Sequence, residues 1–195
     1  MSSRSRRTLP AVLGVVLACV LLLAGCNSLG GTNNAGYVPG DGQILQLAPA
    51  DRGDPIELTG TSLEGDKIDL ADYRGQIVVV NTWWSGCSPC RGEMPMLTKT
   101  ADEYAGKATF VGINIRDSSA DNGLAFERSL GVSYSSIYSP GGEALLQFSG
   151  KVSPAAVPST AILDKQGRVA AVVTGPIPSQ LTLTEVIDEI AGQDG

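Results

Sequence analysis

The chain has 195 residues, of which 43% are hydrophobic, and it carries 20 acidic against 14 basic side chains, four cysteines and no histidine. This length and hydrophobic content are enough for one domain with a buried core. The net charge of −6 argues against nucleic acid or an anionic lipid surface as the partner, because both repel an acidic protein.

The N-terminus has the layout of a secretory signal. Three arginines among the first seven residues precede an apolar run from Ala11 to Ala24, which is shorter than the ~20 residues that cross a bilayer. The sequence LAGC that ends at Cys26 resembles the lipobox of bacterial lipoproteins, whose cysteine is lipidated after cleavage. We therefore expect a signal peptide at residues 1–25 and an anchor at Cys26 on the extracytoplasmic face of the cell membrane. Arg6 and Arg7 leave twin-arginine export open beside the general route.

Residues 26–53 are rich in glycine, asparagine and proline and show no helical or strand period, which predicts a lipidated flexible tether. The remaining residues, 54–195, are expected to form the folded domain. Loss of the signal peptide removes three arginines and leaves a mature net charge of −9.

The segment QIVVVNTWW, residues 76–84, is a continuous β-branched run that predicts a central strand covered on both faces. Apolar residues then recur at helical spacing as far as Tyr104, so the strand leads into a helix whose first turn holds Cys87 and Cys90. Pro95 is expected to interrupt and kink this helix, because proline lacks a backbone donor.

The second half of the domain alternates predicted strands and helices. Strands are predicted at residues 108–115, 132–138, 159–164 and 168–173, and helices at residues 121–131, 142–148 and 181–192. This order predicts a mixed α/β sheet with helices on both faces.

The two cysteines of the domain could be a redox couple, half of a metal site shared between two chains, or a structural bridge. Cys19 leaves with the signal peptide and Cys26 carries lipid, so only Cys87 and Cys90 remain, too few for a four-ligand zinc site without histidine. On the first turn of a helix, Cys87 would lie at the positive end as the nucleophile and Cys90 would be the resolving thiol. We expect no cofactor beyond this pair.

Several spaced motifs in the domain resemble the thioredoxin superfamily, and specifically its membrane-anchored TlpA-like and ResA-like thiol-disulfide oxidoreductases. They are GDKIDLADYRG before the central strand, NTW entering the site, CSPCRGEMP on the helix, and VPST followed by AILDKQGRV. The resemblance implies a thioredoxin-like fold with an N-terminal β extension and a central α/β insertion between Arg116 and Pro140. It also implies that Pro158 is a cis-proline beside the redox pair and that the Val157 backbone pairs with an extended client peptide.

The sequence departs from the family pattern at three positions. Asn81 replaces the buried acid that carries the proton of the inner cysteine in thioredoxins, and Asp117 falls where the ResA-like branch has a carboxylate. Asp117 is thus a candidate proton relay, the alternative being a solvated loop acid. Gly86 replaces the tryptophan that usually precedes the first cysteine, which predicts a less apolar surface around it. Trp83 and its neighbour either wall the site or belong to the core.

The resemblance implies reduction of protein disulfides, with apocytochrome c as a typical client and a membrane thiol reductant of the CcdA type as the electron source. An oxidase or isomerase acting on secreted proteins is the nearest alternative, because a C-x-x-C spacing does not set a reduction potential. A thiol peroxidase is disfavoured, since Val80 and Trp84 occupy its proline and threonine positions. A lipoprotein binding module with an inert bridge is the remaining alternative.

Overall fold

The computed structural model describes residues 43–148, 150–152 and 156–193. Its strands are β1 (Gln43–Gln46), β2 (Thr59–Thr61), β3 (Lys67–Asp69), β4 (Ile77–Trp83), β5 (Ala108–Asn114), β6 (Ser136–Tyr138), β7 (Ser159–Leu163) and β8 (Val169–Thr174). Its α-helices are α1 (Ser88–Glu103), α2 (Ala120–Leu130) and α3 (Gln180–Gln193). Six strands form one mixed sheet in the order β1-β8-β7-β4-β5-β6, while β2 and β3 form a separate hairpin. The predicted thioredoxin-like α/β fold is confirmed.

Strand β4 lies in the middle of the sheet, parallel to β5 and antiparallel to β7. All seven of its residues are buried, as the β-branched run predicted. Side chains alternate along a strand, so the residues of β4 point to opposite faces of the sheet. Ile77 and Val79 pack with α1 and α3 on one face, whereas Val78 and Val80 belong to a second hydrophobic cluster on the other face. The strand is therefore held on both faces, and its carboxyl end delivers the chain to the cysteines.

Helix α1 begins directly after Cys87, whose sulfur accepts a hydrogen bond from the Cys90 N–H, and Pro89 lies in the first turn. Proline suits that position because the N–H groups of the first turn have no acceptor within the helix, so the lack of an N–H costs no hydrogen bond. The helix continues through Pro95, so the expected interruption there is wrong. Pro95 is exposed, and so is Arg91, the residue whose carbonyl loses its donor to the proline.

The boundary expected at residue 54 is also wrong, because the fold already includes residues 43–53. Strand β1 pairs with β8 from Gln43 to Gln46, and Arg52 is buried in an ion pair with Asp164 at 3.1 Å. A four-residue strand is too short to show a period, and the partner of Arg52 lies 112 residues further along the chain. The predicted signal peptide, Cys26 and the first part of the predicted tether lie outside the described residues.

The predicted insertion is present as α2 and β6, with β6 extending the sheet parallel to β5. The side chain of Ser119 caps the start of α2, and Gly131, with a left-handed φ of 66°, ends it. The helix predicted at residues 142–148 is a 3₁₀ helix, Glu143–Phe148. None of the helices in the described ranges is long and apolar enough to cross a membrane.

Candidate active site

The two cysteines lie where β4 ends and α1 begins, and they form a disulfide with a Cα–Cα distance of 5.3 Å. Cys87 retains 5% of its surface and Cys90 none, while Gly86, Ser88 and Pro89 are exposed around them. The Cys90 N–H donates to the Cys87 sulfur at 3.2 Å. The outer sulfur is therefore Cys87, and the inner one is closed off within the protein.

The loop that contains Val157 and Pro158 packs against the same cluster as the cysteines. The bond between these two residues is cis, as the resemblance implied, and the Pro158 carbonyl accepts a hydrogen bond from the Gly175 N–H at 3.0 Å. Val157 is half-buried, and its side chain packs against the cluster that holds Cys87 and Cys90.

A buried carboxylate to which the sequence motifs assigned no role lies one helical turn beyond Cys90 in α1. Glu93 accepts hydrogen bonds from the Asn81 Nδ2 at 3.1 Å and from the Ile177 N–H at 3.0 Å. Burial raises the pKa of Glu93 to about 7, and the two hydrogen bonds offset only part of that effect. Asn81, which cannot itself carry a proton, thus serves as a donor to a group that can. The i, i+3 spacing from Cys90 was the available signal.

Asp117 is buried, so the alternative of a solvated loop acid is wrong. One of its carboxylate oxygens accepts from the Ser85 N–H at 3.0 Å and from the Asn114 Nδ2 at 2.7 Å, and the other accepts from the Ser85 hydroxyl. These bonds tie the end of β5 to the turn that precedes Cys87. Asp117 therefore braces the backbone next to the site.

Trp83 is fully buried in the cluster that contains both cysteines. Its ring stacks on Phe126 of α2 with a centroid distance of 5.3 Å, and its indole N–H donates to the Ser136 hydroxyl oxygen at 3.0 Å. Trp83 is part of the core and also a wall of the site, so both alternatives hold. At this end of the sheet, the core cluster itself contains the two cysteines.

The hydrogen-bonded chain continues from Trp83 to a second buried carboxylate. The Ser136 hydroxyl donates to Glu127 on α2, and burial raises the pKa of Glu127 to about 7. Glu127 and Ser136 line a cleft of about 210 Å³ between α2, β6 and the β2–β3 hairpin. No residue in this cleft was singled out from the sequence.

Within the described ranges, no group of three or more histidine, cysteine, aspartate or glutamate side chains is arranged to hold a metal ion. The sequence matches the Redoxin family over residues 46–188. The chain belongs to this family.

Relatives of this redoxin include thiol-disulfide oxidoreductases. It is 27% identical to the protein ResA of Bacillus thuringiensis subsp. konkukian over 158 residues, which cover 80% of this chain and 85% of that one. It is 43% identical to the thioredoxin-like protein YneN of Bacillus subtilis over 53 residues, 27% of this chain and 31% of YneN.

Two solved structures resemble the fold closely. A DsbF homologue from Corynebacterium diphtheriae superposes with a TM-score of 0.72 at 37% identity, covering 78% of this chain and 96% of that one. A secreted thiol-disulfide isomerase from Corynebacterium glutamicum superposes with a TM-score of 0.70 at 32% identity over the same shares. This redoxin is a ResA/TlpA-like member of the thioredoxin superfamily and a thiol-disulfide oxidoreductase.

Proposed function

We propose that this redoxin reduces disulfide bonds in extracytoplasmic client proteins, with apocytochrome c as a typical client. The observation that carries the proposal is the Cys87–Cys90 disulfide at the start of α1, with the Cys90 N–H directed at the outer sulfur. Once reduced, a thiolate at Cys87 is stabilised by that donor and by the positive end of the helix. Cys87 is the nucleophile, and Cys90 is the resolving thiol.

The exchange balances in two steps. The Cys87 thiolate attacks one sulfur of a client disulfide, forms a mixed disulfide and releases the other client sulfur, which takes up a proton. Cys90 then loses its proton and attacks the Cys87 sulfur, which forms the Cys87–Cys90 disulfide and releases the second client thiol. The client gains two electrons and two protons, and the redoxin becomes oxidised.

Glu93 is suited to hold or take up the proton of Cys90. It lies one turn further along the same buried face of α1, and its pKa of about 7 lets it change protonation state near neutral pH. Asn81 and the Ile177 N–H fix its orientation. We keep Asp117 as a second candidate for this role, although its hydrogen bonds go to Ser85 and Asn114.

Three further residues support the site in this proposal. The Val157 backbone would pair with an extended client segment, and Pro158 would lie beside the sulfurs, as the resemblance implies. The packing of the Val157 side chain against the cluster that holds both cysteines supports this arrangement. Trp83 supplies the apolar wall behind the cysteines.

We place the protein on the extracytoplasmic face of the membrane, anchored by lipid at Cys26, with a membrane thiol reductant of the CcdA type as its electron source. The secretory layout of residues 1–25 supports this location, and the relative from Corynebacterium glutamicum is itself described as secreted. Two acyl chains on one cysteine are enough for stable anchoring. Fractionation of cells that make the Cys26→Ser variant tests the anchor, because an anchored protein leaves the membrane fraction when the lipid is lost.

The reduction potential of the Cys87–Cys90 pair tests the direction of the reaction. Equilibration against dithiothreitol and glutathione buffers should give a value near that of thioredoxin, roughly −270 mV. In parallel, Cys90→Ser should accumulate a mixed disulfide with a client, and Cys87→Ser should not. If Cys87→Ser traps the client instead, the assignment of the nucleophile is wrong.

A disulfide oxidase or isomerase is the second candidate, and the relatives favour keeping it. The two closely superposing structures are a DsbF homologue and a thiol-disulfide isomerase. A potential near that of strong oxidants, roughly −120 mV, would identify this redoxin as a disulfide donor and contradict the reducing direction.

A further inference from the structure

Gly86 carries no side chain next to Cys87, and the Trp84 ring occupies the volume that a side chain there would fill. The six-membered ring of Trp84 lies over Gly86, so close that a Cβ added to the glycine would overlap the ring. Trp84 is half-buried and packs against the cluster that contains both cysteines. The indole of Trp84 thus lies against the residue that directly precedes Cys87.

A fixed turn holds Trp84 in this place. The Cys87 N–H donates to the Trp84 carbonyl at 3.1 Å, which closes the turn from residue 84 to residue 87. Between them, Ser85 is held by Asp117 through both its N–H and its hydroxyl. The backbone that carries the ring is therefore tied to the end of β5 as well as to α1.

Gly86 is required here for space and not for its backbone angle. It is absent from the described glycines that have a positive φ, so any L residue could adopt its conformation. The obstacle is the Trp84 ring, whose Cε3 atom would lie 2.9 Å from an added Cβ. Trp84 and Gly86 are therefore complementary, since the indole occupies the volume that a side chain at residue 86 would need.

We propose that the Trp84 ring is the surface on which a client polypeptide lies when its disulfide meets Cys87, and that this contact favours clients with an apolar residue beside the reacting cysteine. The inference rests on the proposed thiol-disulfide exchange at Cys87, in either direction. The partner that would lie on the Trp84 ring is an extended segment of a client protein. Such a segment must approach Cys87 over the exposed residues Gly86, Ser88 and Pro89, and the half-buried Trp84 lies against Gly86 at that opening.

The test compares rates of mixed-disulfide formation in a Cys90→Ser background, where the reaction stops after Cys87 has attacked. Three probes carry the same nitrothiobenzoate leaving group, on a peptide with Phe beside its cysteine, on the same peptide with Ser there, and on mercaptoethanol. We expect Trp84→Ala to lower the preference for the Phe peptide over mercaptoethanol about tenfold, a usual loss when an interface tryptophan is truncated. Trp84→Phe, which keeps an aromatic face, should retain most of the preference.

Gly86→Ala provides the matched control, because it displaces the ring without removing it. It should reduce the same preference when Trp84 is present and have no further effect in a Trp84→Ala background. Equal losses with all three probes would overturn the proposal and would assign Trp84 to the reactivity of the sulfur or to the fold. An unchanged preference for the Phe peptide would overturn it as well. The reduction potential decides the direction of the reaction separately, so failure of the proposed function and failure of this inference are distinguishable.

Discussion

At Glu93, burial and hydrogen bonding act on one carboxylate in opposite directions. Burial disfavours the charge, while the Asn81 side chain and the Ile177 N–H favour it, and the pKa of about 7 shows that burial dominates. The folded protein therefore holds a proton at Glu93 that the unfolded chain releases at lower pH. Between pH 4.5, the ordinary value, and about 7, this group makes the folded state less stable as the pH rises.

We predict that Glu93→Gln removes this part of the pH dependence. The free energy of unfolding of the wild type should fall by up to about 3 kcal/mol from this group over that range, and the variant should lack this loss. The carbonyl oxygen of the introduced amide can still accept from the Ile177 N–H. Its NH2 group would face the Asn81 Nδ2, so Asn81 has to turn over and present its Oδ1 atom, which has no hydrogen-bond partner, as the acceptor. Urea titrations at several pH values measure the effect.

Glu185→Gln, which removes an exposed carboxylate on α3, is the control and should leave the pH dependence as in the wild type. If Glu93→Gln retains the full slope, Glu93 is not the group that titrates. A change in the pH profile of the thiol exchange rate in the same variant would support its proposed role toward Cys90.

The sequence could predict the cysteines and several residues near them, but not the contacts that bury Glu93 or hold Asp117. The spacing of Cys87 and Cys90 is local, so it shows in a single motif. The burial of Glu93 depends on Ile177, 84 residues away, and no local pattern reports such a contact. Asp117 was found by its place after β5, but its attachment to Ser85 needed the fold.

At the scale of elements, the insertion is fastened to the sheet by a close contact over Gly112. This residue of β5 is paired with Ser136 of β6, and an added Cβ would overlap the Ser136 side chain and lie 2.7 Å from the Trp83 Nε1. The glycine makes room for the hydrogen bonds from Trp83 to Ser136 and from Ser136 to Glu127.

We predict that Gly112→Ala destabilises the protein by about 1–3 kcal/mol, the usual cost of overpacking a core. The added methyl group would separate Trp83 from Ser136 and disturb the hydrogen bond that Ser136 donates to Glu127. Gly92→Ala is a matched control, since Gly92 is exposed on α1 with no atom within 4 Å of an added Cβ.

Alanine favours helix over glycine, so the control should be neutral or stabilising by up to about 1 kcal/mol. Urea denaturation of both variants measures the difference. Equal stability of Gly112→Ala and the wild type would show that β6 and α2 shift freely against β4 and β5.

Elements with a continuous period were predictable, and those defined by distant pairing were not. The run that became β4 and the helical spacing of α1 each extend over several residues, so periodicity identifies them. Strand β1 has four residues and depends on β8 for its hydrogen bonds. Pro95 shows the opposite error, because the helix continues through a residue that the local rule expects to interrupt it.

For the molecule as a whole, residues 43–53 contribute the edge strand β1 and a buried ion pair to the fold. Arg52 and Asp164 are buried as an ion pair, and Arg168 also contacts Asp164. Burial would raise the pKa of Asp164, but hydrogen bonds from Arg168 and Arg52 outweigh it and hold the pKa below its usual value. The stability from this carboxylate is therefore present above its ordinary pKa and is lost as the pH falls through the lowered one.

We predict that a protein starting at Asp54 is less stable at neutral pH than one starting at Gly42, by about 3 kcal/mol or more. The shorter protein lacks β1 and leaves Asp164 buried with one of its cationic partners removed. In the protein that starts at Gly42, Arg52→Ala breaks the ion pair but keeps β1, so this variant distinguishes the contribution of the ion pair from that of the strand. The deficit caused by Arg52→Ala should shrink as the pH falls and Asp164 becomes protonated, which urea midpoints at several pH values would show. If the stability deficit of Arg52→Ala does not change with pH, the contribution of Arg52 comes from packing and not from its ion pair with Asp164.

The two tryptophans of the sequence are Trp83 and Trp84, and both belong to the cluster that holds the cysteines. The tryptophan fluorescence of the protein, excited selectively so that the five tyrosines do not contribute, is therefore a signal from the redox site. Disulfides quench nearby indoles, so emission should report whether the pair is oxidised or reduced without any added label. On heating, the same signal reports melting of the site, whereas circular dichroism reports the sheet and helices. Their coincidence would show that site and scaffold unfold as one cooperative unit.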